Sequence, residues 1–535
     1  MTVGLESRLG GSAVNNGECK DNGAEFFAKG IFKKDNPTRA LCKTIIHFWK
    51  DQRILRVNKR KATVEMDLKS QTVSASPRLI IHGGAGNIRP MSPQKYAQYR
   101  DALLNIITKT NAYMTTPVSL KQEARSSRTG CPSALDIATY AVELLENNPL
   151  FNSGHGAVFT RDGINELEAS VMVSSGFAKR GVGVTGLRRV KNPILLARKM
   201  LEHGEGDLRG KADLGWASRD EAGENLDIPS AQGHTLVHGP SAELLATKYG
   251  LDLVEPNYFF TQTRWDEHVR ALEREKSEHQ VHTESWATAT WSADEFLPQG
   301  TCGAVALDAD GVICCATSTG GMTNKLTGRI GDTPSMGAGF WAEQWEEDGT
   351  PTMSPSRRAT PPWTAWREYL GAQSPVVELS TQLKSMVAQC LPTPFIYQPV
   401  AQDQRLVTTR SAGLSGTGNG DSFLRVAAVR TVVGIARWTG VSTAEALKRV
   451  AGRNGELQRS AGDRWGKTGE GEGGMIGIEA VVVRDAASGD IVDIRHEILQ
   501  DFNCGGMFRA WIDEHDHAVV RIFDGIKDGD YAVHG

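Results

Sequence analysis

Several absences narrow this 535-residue chain before any motif is read. Its eight cysteines (Cys19, Cys42, Cys131, Cys302, Cys314, Cys315, Cys390, Cys504) include no Cys-x-x-Cys pair and are too dispersed for a secreted disulfide scaffold. Adjacent Cys314 and Cys315 lie in an apolar run, where successive side chains point to opposite faces of a strand and cannot share a metal. No uncharged apolar run reaches the roughly 18 residues of a membrane helix. The start carries Glu6, Glu18, Asp21 and Glu25 without an apolar core, so neither a secretory nor an Arg-rich transit signal is visible in it, and a cytoplasmic location is expected. A formal charge of −3 offers no global attraction to nucleic acid or anionic membranes. No Gly-x-Ser-x-Gly occurs, so a serine-hydrolase elbow is unsupported.

Glycine, by contrast, is abundant and clustered. Of 57 residues, nine fall within 300–339, four within 413–420 and seven within 462–477. Residues 1–77 form a basic extension without periodicity: Lys29 to Lys69 holds twelve Lys/Arg against four Asp/Glu, and Asn58-Lys59-Arg60-Lys61 reads as part of a solvated tail. The folded part is expected to begin at the strand Arg78 to Ile81, running into the bend His82-Gly83-Gly84-Ala85-Gly86. Ser133 as N-cap, Asp136 at N3 and the stripe Leu135, Ile137, Ala138, Val142, Leu145 predict a helix to about Asn148. It ends in the loop Pro149 to Gly156, after which Ala157 to Thr160 reads as a strand. Further helices are expected at Pro193 to Glu202 and Ser241 to Tyr249.

A polar linker is expected over 275–300, dividing an N-terminal portion, 78–300, from a C-terminal portion, 301–535. An insertion at about 341–410 holds eight prolines and one helix near Val377 to Ala388. Ala461 to Thr468 meets a relaxed Walker A pattern, but Arg453 to Arg459 is not the buried strand a P-loop needs. His515 and His517 read as a solvated turn rather than a metal site.

The chemistry points to Gly300-Thr301. Two apolar runs flank Asp310-Gly311, a hairpin signal that puts Gly311 in the left-handed position and pairs Asp308 with Val312. Counting outward sets Thr301 opposite Thr319. A cross-strand threonine pair stabilises a sheet by itself. If the chain were cut between Gly300 and Thr301, however, the new α-amine, with a reference pKa near 8, could serve as base for the Thr301 hydroxyl.

Thr301 to Asp308, Thr317 to Lys325, Gly328-Arg329-Ile330-Gly331-Asp332 and His82 to Gly86 together resemble the plant-type asparaginase and isoaspartyl peptidase family of N-terminal-nucleophile hydrolases. So do Phe151-Asn152-Ser153-Gly154, Val190-Lys191-Asn192-Pro193 and Ser415 to Gly420. The resemblance implies an α/β fold, a four-layer α-β-β-α sandwich, and autocleavage into two associated subunits that assemble as a dimer of heterodimers. It makes Thr301 the nucleophile, Thr319 its orienting partner and Asn152 a neighbour. Arg329 and Asp332 become the binders of the substrate's α-carboxylate and α-ammonium, Thr417 and Gly418 the oxyanion hole, and Gly420 a substrate contact. No cofactor is required; a structural sodium held by backbone carbonyls of the 149–155 loop is implied. Substrates would be asparagine or isoaspartyl dipeptides. Alternatives are a taspase-like endopeptidase cleaving after Asp and an unprocessed, non-catalytic homologue. The chain departs from the family's Glu-x-Asp-Ala-x-x-Met-Asp at Glu166-Leu167-Glu168-Ala169-Ser170-Val171-Met172-Val173, and Cys302 and Asn419 stand where valine and threonine are frequent.

Overall fold

The structure, a computed structural model, describes residues 75–117, 130–209, 230–281, 300–347 and 406–523. Most of the basic extension, residues 282–299 of the expected linker, and most of the expected insertion with its helix at 377–388 lie outside them. Contacts divide the chain into residues 1–71 and 72–535, and everything below belongs to the second unit.

In chain order the elements are β1 (Arg78–Gly86), α1 (Pro93–Thr115), α2 (Ala134–Glu146), β2 (Leu167–Val173), β3 (Gly181–Leu187), α3 (Pro193–Arg209), β4 (Leu236–His238), α4 (Gly239–Lys248), α5 (Gln262–Val281), β5 (Cys302–Leu307) and β6 (Ile313–Thr319). There follow β7 (Phe340–Glu346), β8 (Leu406–Gly418), α6 (Gly420–Val426), α7 (Ala428–Thr439), α8 (Thr443–Ala451), α9 (Glu456–Ser460), β9 (Gly473–Asp485), β10 (Ile491–Phe502), β11 (Gly506–Ile512) and β12 (Ala518–Arg521). An eight-stranded sheet runs β12-β11-β1-β5-β6-β2-β3-β4, and a four-stranded sheet runs β10-β9-β8-β7. Every pairing is antiparallel except β3 with β4.

Strand alternation explains the cores. In β1, Leu79 and Ile81 join the apolar cluster that α1 to α4 cover, while Ile80 joins a second cluster with Val305, Phe340, Ile476 and Ile478, drawn from both sheets. Cys314 and Cys315 separate in the same way, one into each cluster. On the smaller sheet, Leu414 and Met475 meet the i, i+3, i+4, i+7 stripe Val429, Val432, Val433, Ala436 of α7. The expected capping box holds: the Ser133 hydroxyl accepts the Asp136 amide, and an Asp136 carboxylate oxygen accepts the Ser133 amide at 3.1 Å. Ile137, Val142 and Leu145 of α2 are fully buried against β5 and β6, each stabilising the fold by about 1.5–3 kcal/mol.

Four expectations need correction. Ala157 to Thr160 is not a strand, because its amides bond locally: Val158 to the Asn152 side chain and Thr160 to the Ile164 carbonyl. The glycines after Ile81 do not bend the chain out of the sheet; β1 runs through Gly86, with only a register break between His82 and Ala85. Helix α5 extends to Val281, so the linker does not start at 275, and β7 and β8 absorb the edges expected of the insertion. The folded body begins before Arg78, since the Ala75 amide donates to the Ala309 carbonyl at 3.0 Å. Helix α1 was not expected, although Ser92, Pro93 and the buried run Tyr96, Tyr99, Leu103, Ile106, Ile107, Thr110, Met114 carry its signature.

Candidate active site

The hairpin folds as its residues dictate. Gly311 takes φ +81°, the Asp308 amide donates to the Val312 carbonyl at 3.0 Å, and the ladder closes at Cys302 opposite Ser318. Thr301 and Thr319 are the residues next beyond that pair, at the open end of the hairpin. Asp308 anchors the turn: it accepts the Val312, Asp310 and Ala134 amides, and burial raises its carboxyl to about 6.

Gly300 lies directly on β1. A Cβ at Gly84, whose φ is +123°, would stand 3.1 Å from the Gly300 Cα, and one at Gly300 would stand 2.2 Å from the Gly84 Cα. Gly300 has no room for a side chain, and at Gly84 one would be strained and would push on Gly300, which gives the His82 to Gly86 motif its physical purpose: it is the wall along which the Gly300-Thr301 peptide passes. Thr301 is buried, and its Oγ1 lies 2.9 Å from the Thr333 Oγ1. The Thr333 carbonyl in turn accepts the Ser170 hydroxyl at 2.6 Å, and Ser170 accepts the Thr317 hydroxyl. Thr333 is a residue that sequence reasoning missed; it sits 32 positions from Thr301, in a Thr-Pro pair that reads as an ordinary turn.

Thr319 is pinned elsewhere, its hydroxyl accepting the Gly321 amide at 3.0 Å. Asn152 locks that segment from the other side. Its side chain donates to the Gly321 carbonyl at 2.7 Å and accepts the Val158 amide at 3.0 Å, while its carbonyl accepts the Gly320 amide at 3.2 Å. His82, also missed, has Nε2 2.6 Å from the Ser415 hydroxyl; burial pulls its pKa down to about 3, against the pull of the Thr301 backbone, so the ring is neutral.

At the end of β8, the Thr417 hydroxyl accepts the Ala85 amide at 3.2 Å, beside the segment that packs on Gly300. Gly418 holds φ +142°, and a Cβ there would stand 2.4 Å from both the Glu472 carbonyl oxygen and the Gly473 Cα. Arg329, Asp332 and Gly420 converge nearby. A Cβ at Gly420 would fall 2.5 Å from Asp332 Oδ1 and 3.1 Å from an Arg329 terminal nitrogen. Arg329 donates to Asp421 at 2.8 Å rather than to Asp332, so the pair is not a simple i, i+3 surface bridge. Asp332 is buried, with Oδ2 lacking any partner among the described residues; burial raises its carboxyl to about 7, against the pull of Arg329.

The remaining motifs are scaffolding for this cluster. Glu146, at the end of α2, accepts the Ser318 hydroxyl at 2.6 Å, the Ile194 amide at 2.9 Å and the Asn192 side chain at 3.1 Å, and burial pushes its carboxyl up to about 8. It thereby joins the Lys191-Asn192-Pro193 motif to the Thr317-Ser318-Thr319 strand. In the 149–156 loop, a Cβ at Gly154 would stand 2.3 Å from the Glu146 carbonyl oxygen and one at Gly156 2.1 Å from that of Phe151. Glycine there lets the loop pass close to those backbone carbonyls. Two other carbonyls, of Leu150 and Gly156, are already taken by the buried Arg264 guanidinium at 3.1 and 2.9 Å.

The competing motifs fare as their sequence context suggests. The Walker-like segment follows α9 rather than a strand, and the His515–His517 turn is closed by the Asp513 carboxylate accepting both histidine amides. Among the described residues no group of three or more His, Cys, Asp or Glu could hold a metal, and no helix is long and apolar enough to cross a membrane.

A family profile described as asparaginase matches residues 75–208 and 229–346. An isoaspartyl peptidase of Escherichia coli (strain K12) is 30% identical over 81% of this chain and 92% of its own length. One of Salmonella typhimurium is 28% identical over 81% and 94%. A plant-type L-asparaginase of Pyrococcus furiosus is 32% identical over 50% of this chain and 70% of its own.

Proposed function

The chain belongs to the plant-type asparaginase and isoaspartyl peptidase family, and on that premise we propose that it is a hydrolase activated by cleavage of its own Gly300-Thr301 bond. The observation that carries this reading is the buried Thr301 hydroxyl, set behind a glycine that lies on the Gly84 backbone and 2.9 Å from a second hydroxyl. Cleavage exposes the Thr301 α-amine, which takes the hydroxyl proton as Oγ1 attacks the side-chain carbonyl of asparagine or of an isoaspartyl dipeptide. The C–N bond then breaks, ammonia or the amine leaves with a proton, and water hydrolyses the Oγ1 ester to release aspartate. Both substrates present the same electrophile, so one pocket serves both.

Thr417 and the Gly418 amide stabilise the tetrahedral oxyanion, Arg329 binds the α-carboxylate and Asp332 the α-ammonium, with Gly420 leaving them room. Thr319 and Asn152 hold the strand end facing the nucleophile. A structural sodium would be held by the carbonyls of Glu146 and the 149–155 loop; its contribution is to fix that loop, and no chemical step uses it. The two sheets, their shared core and the helices on each support a four-layer α-β-β-α sandwich, and we expect a dimer of processed heterodimers.

A denaturing gel tests the proposal. Purified protein should resolve into fragments of about 32 and 26 kDa from the 58.1 kDa chain, with a new N-terminus at Thr301, and Thr301→Ala should stay whole. A single full-length band from wild type after long incubation would sink the reading. Ammonia release from free asparagine separates an asparaginase from a taspase-like endopeptidase, which would leave that substrate untouched.

A further inference from the structure

Glu168 stands in β2 directly opposite Thr319, is 1% exposed, and has no role in the chemistry above. Its Oε1 accepts the Thr185 hydroxyl at 3.1 Å and the Gly331 amide at 3.4 Å, and lies 3.8 Å from the Lys325 ammonium. Its Oε2 is buried and has no hydrogen-bond partner among the described residues. The same is true of Asp332 Oδ2. An unpaired buried carboxylate oxygen is costly, and two on carboxylates that feel each other's charge mark a place where a donor is missing.

The Arg329 guanidinium ties the two together. One terminal nitrogen lies 2.7 Å, and Glu168 Oε2 3.4 Å, from where a Cβ on Gly331 would be; the other lies 3.1 Å, and Asp332 Oδ1 2.5 Å, from where a Cβ on Gly420 would be. Two carboxylates thus flank one guanidinium, and that guanidinium already donates to Asp421. A group that satisfies both orphan oxygens must donate more than one hydrogen, and beside two carboxylates a cationic donor binds most strongly. A primary ammonium has three such hydrogens.

Resting on the hydrolase reading above, we infer that Glu168 Oε2 is a second acceptor for the substrate's α-ammonium, alongside Asp332, and that it selects ligands with a free α-amino group. Removing that acceptor then weakens ligands that carry the α-amino group and spares those that lack it. A purely structural Glu168, neutralised by Lys325, would instead hold the Gly331 loop and affect all ligands alike.

The test uses the processed full-length enzyme, a β-aspartyl dipeptide as substrate, and two competitive inhibitors that differ only in the α-amino group: L-aspartate and succinate. Glu168→Gln should raise the inhibition constant of L-aspartate about tenfold or more, the effect of losing one charge-assisted hydrogen bond, while leaving that of succinate nearly unchanged. Should Glu168→Gln fail to process, Glu168→Ala, which removes the carboxylate altogether, should lose the same preference. Equal losses for both inhibitors, or no loss for either, overturn the inference while a wild type that processes and turns over the dipeptide leaves the hydrolase reading intact. A wild type that never processes overturns both.

Discussion

Substituting Gly420 with alanine separates substrate recognition from folding more cleanly than any other change at this site. Gly420 opens α6, its φ lies outside the left-handed region, and the preceding Asn419 caps the helix by accepting the Ser422 amide at 3.0 Å. The backbone therefore tolerates alanine, which is a better helix former than glycine by up to about 1 kcal/mol. The added methyl, however, would sit 2.5 Å from Asp332 Oδ1 and 3.1 Å from Arg329, in the gap where the substrate's ammonium and carboxylate must enter. Blocking that gap removes two charge-assisted interactions of about 1.5–3 kcal/mol each, or about 3–6 kcal/mol in all. Converted at 1.4 kcal/mol per decade, kcat/KM should fall by about 10² to 10⁴. Steady-state kinetics on a β-aspartyl dipeptide reads the loss, with a thermal melt and a gel showing that Gly420→Ala folds and processes as wild type does. A folded, processed Gly420→Ala enzyme within threefold of the wild-type kcat/KM would refute the placement of the substrate between Arg329 and Asp332.

Thr333→Val keeps shape but removes the hydroxyl that contacts Thr301; processing and turnover should each slow by about fivefold, the worth of one hydrogen bond of about 1 kcal/mol, as followed by fragment appearance and kcat. Gly84→Ala forces a Cβ into φ +123° and against Gly300, so it should arrest processing while a melt shows the fold retained; normal cleavage would contradict the wall assigned to Gly84. Because burial raises Asp332 to about 7 and only its ionised form holds an ammonium, KM for asparagine should rise as pH falls through about 7 and level off above it. A flat KM between pH 5.5 and 8 would remove Asp332 from that role.

Local chemistry made the hairpin readable in advance. Asp310-Gly311 between two apolar runs set a register that the ladder follows residue for residue, and Ser133 with Asp136 marked the start of α2 for the same reason: each signal acts within a few residues. Where a side chain captured a backbone group that a strand needs, the reading failed. Ala157 to Thr160 has strand-forming residues, but Asn152 takes the amide that a strand would have offered to a neighbour.

Of the glycine clusters, 300–339 and 413–420 were tied to the site by motif alone. The third, 462–477, has its reason only in space: Gly466 and Gly471 turn with positive φ, and a Cβ at Gly473 would strike the Phe423 ring and the Thr417 carbonyl, so β9 can lie close against the strand that ends in Gly418. By itself the sequence determined the family and the register of the β5–β6 hairpin, because these depend on residue identity and short-range geometry. Tertiary structure alone decided that Thr333, not Thr319, touches the Thr301 hydroxyl, that His82 meets Ser415, and that Glu168 joins Asp332 with an unpaired oxygen. Those contacts span 32, 333 and 164 positions, and only the stacking of separate strands brings such distant residues within hydrogen-bonding or electrostatic reach.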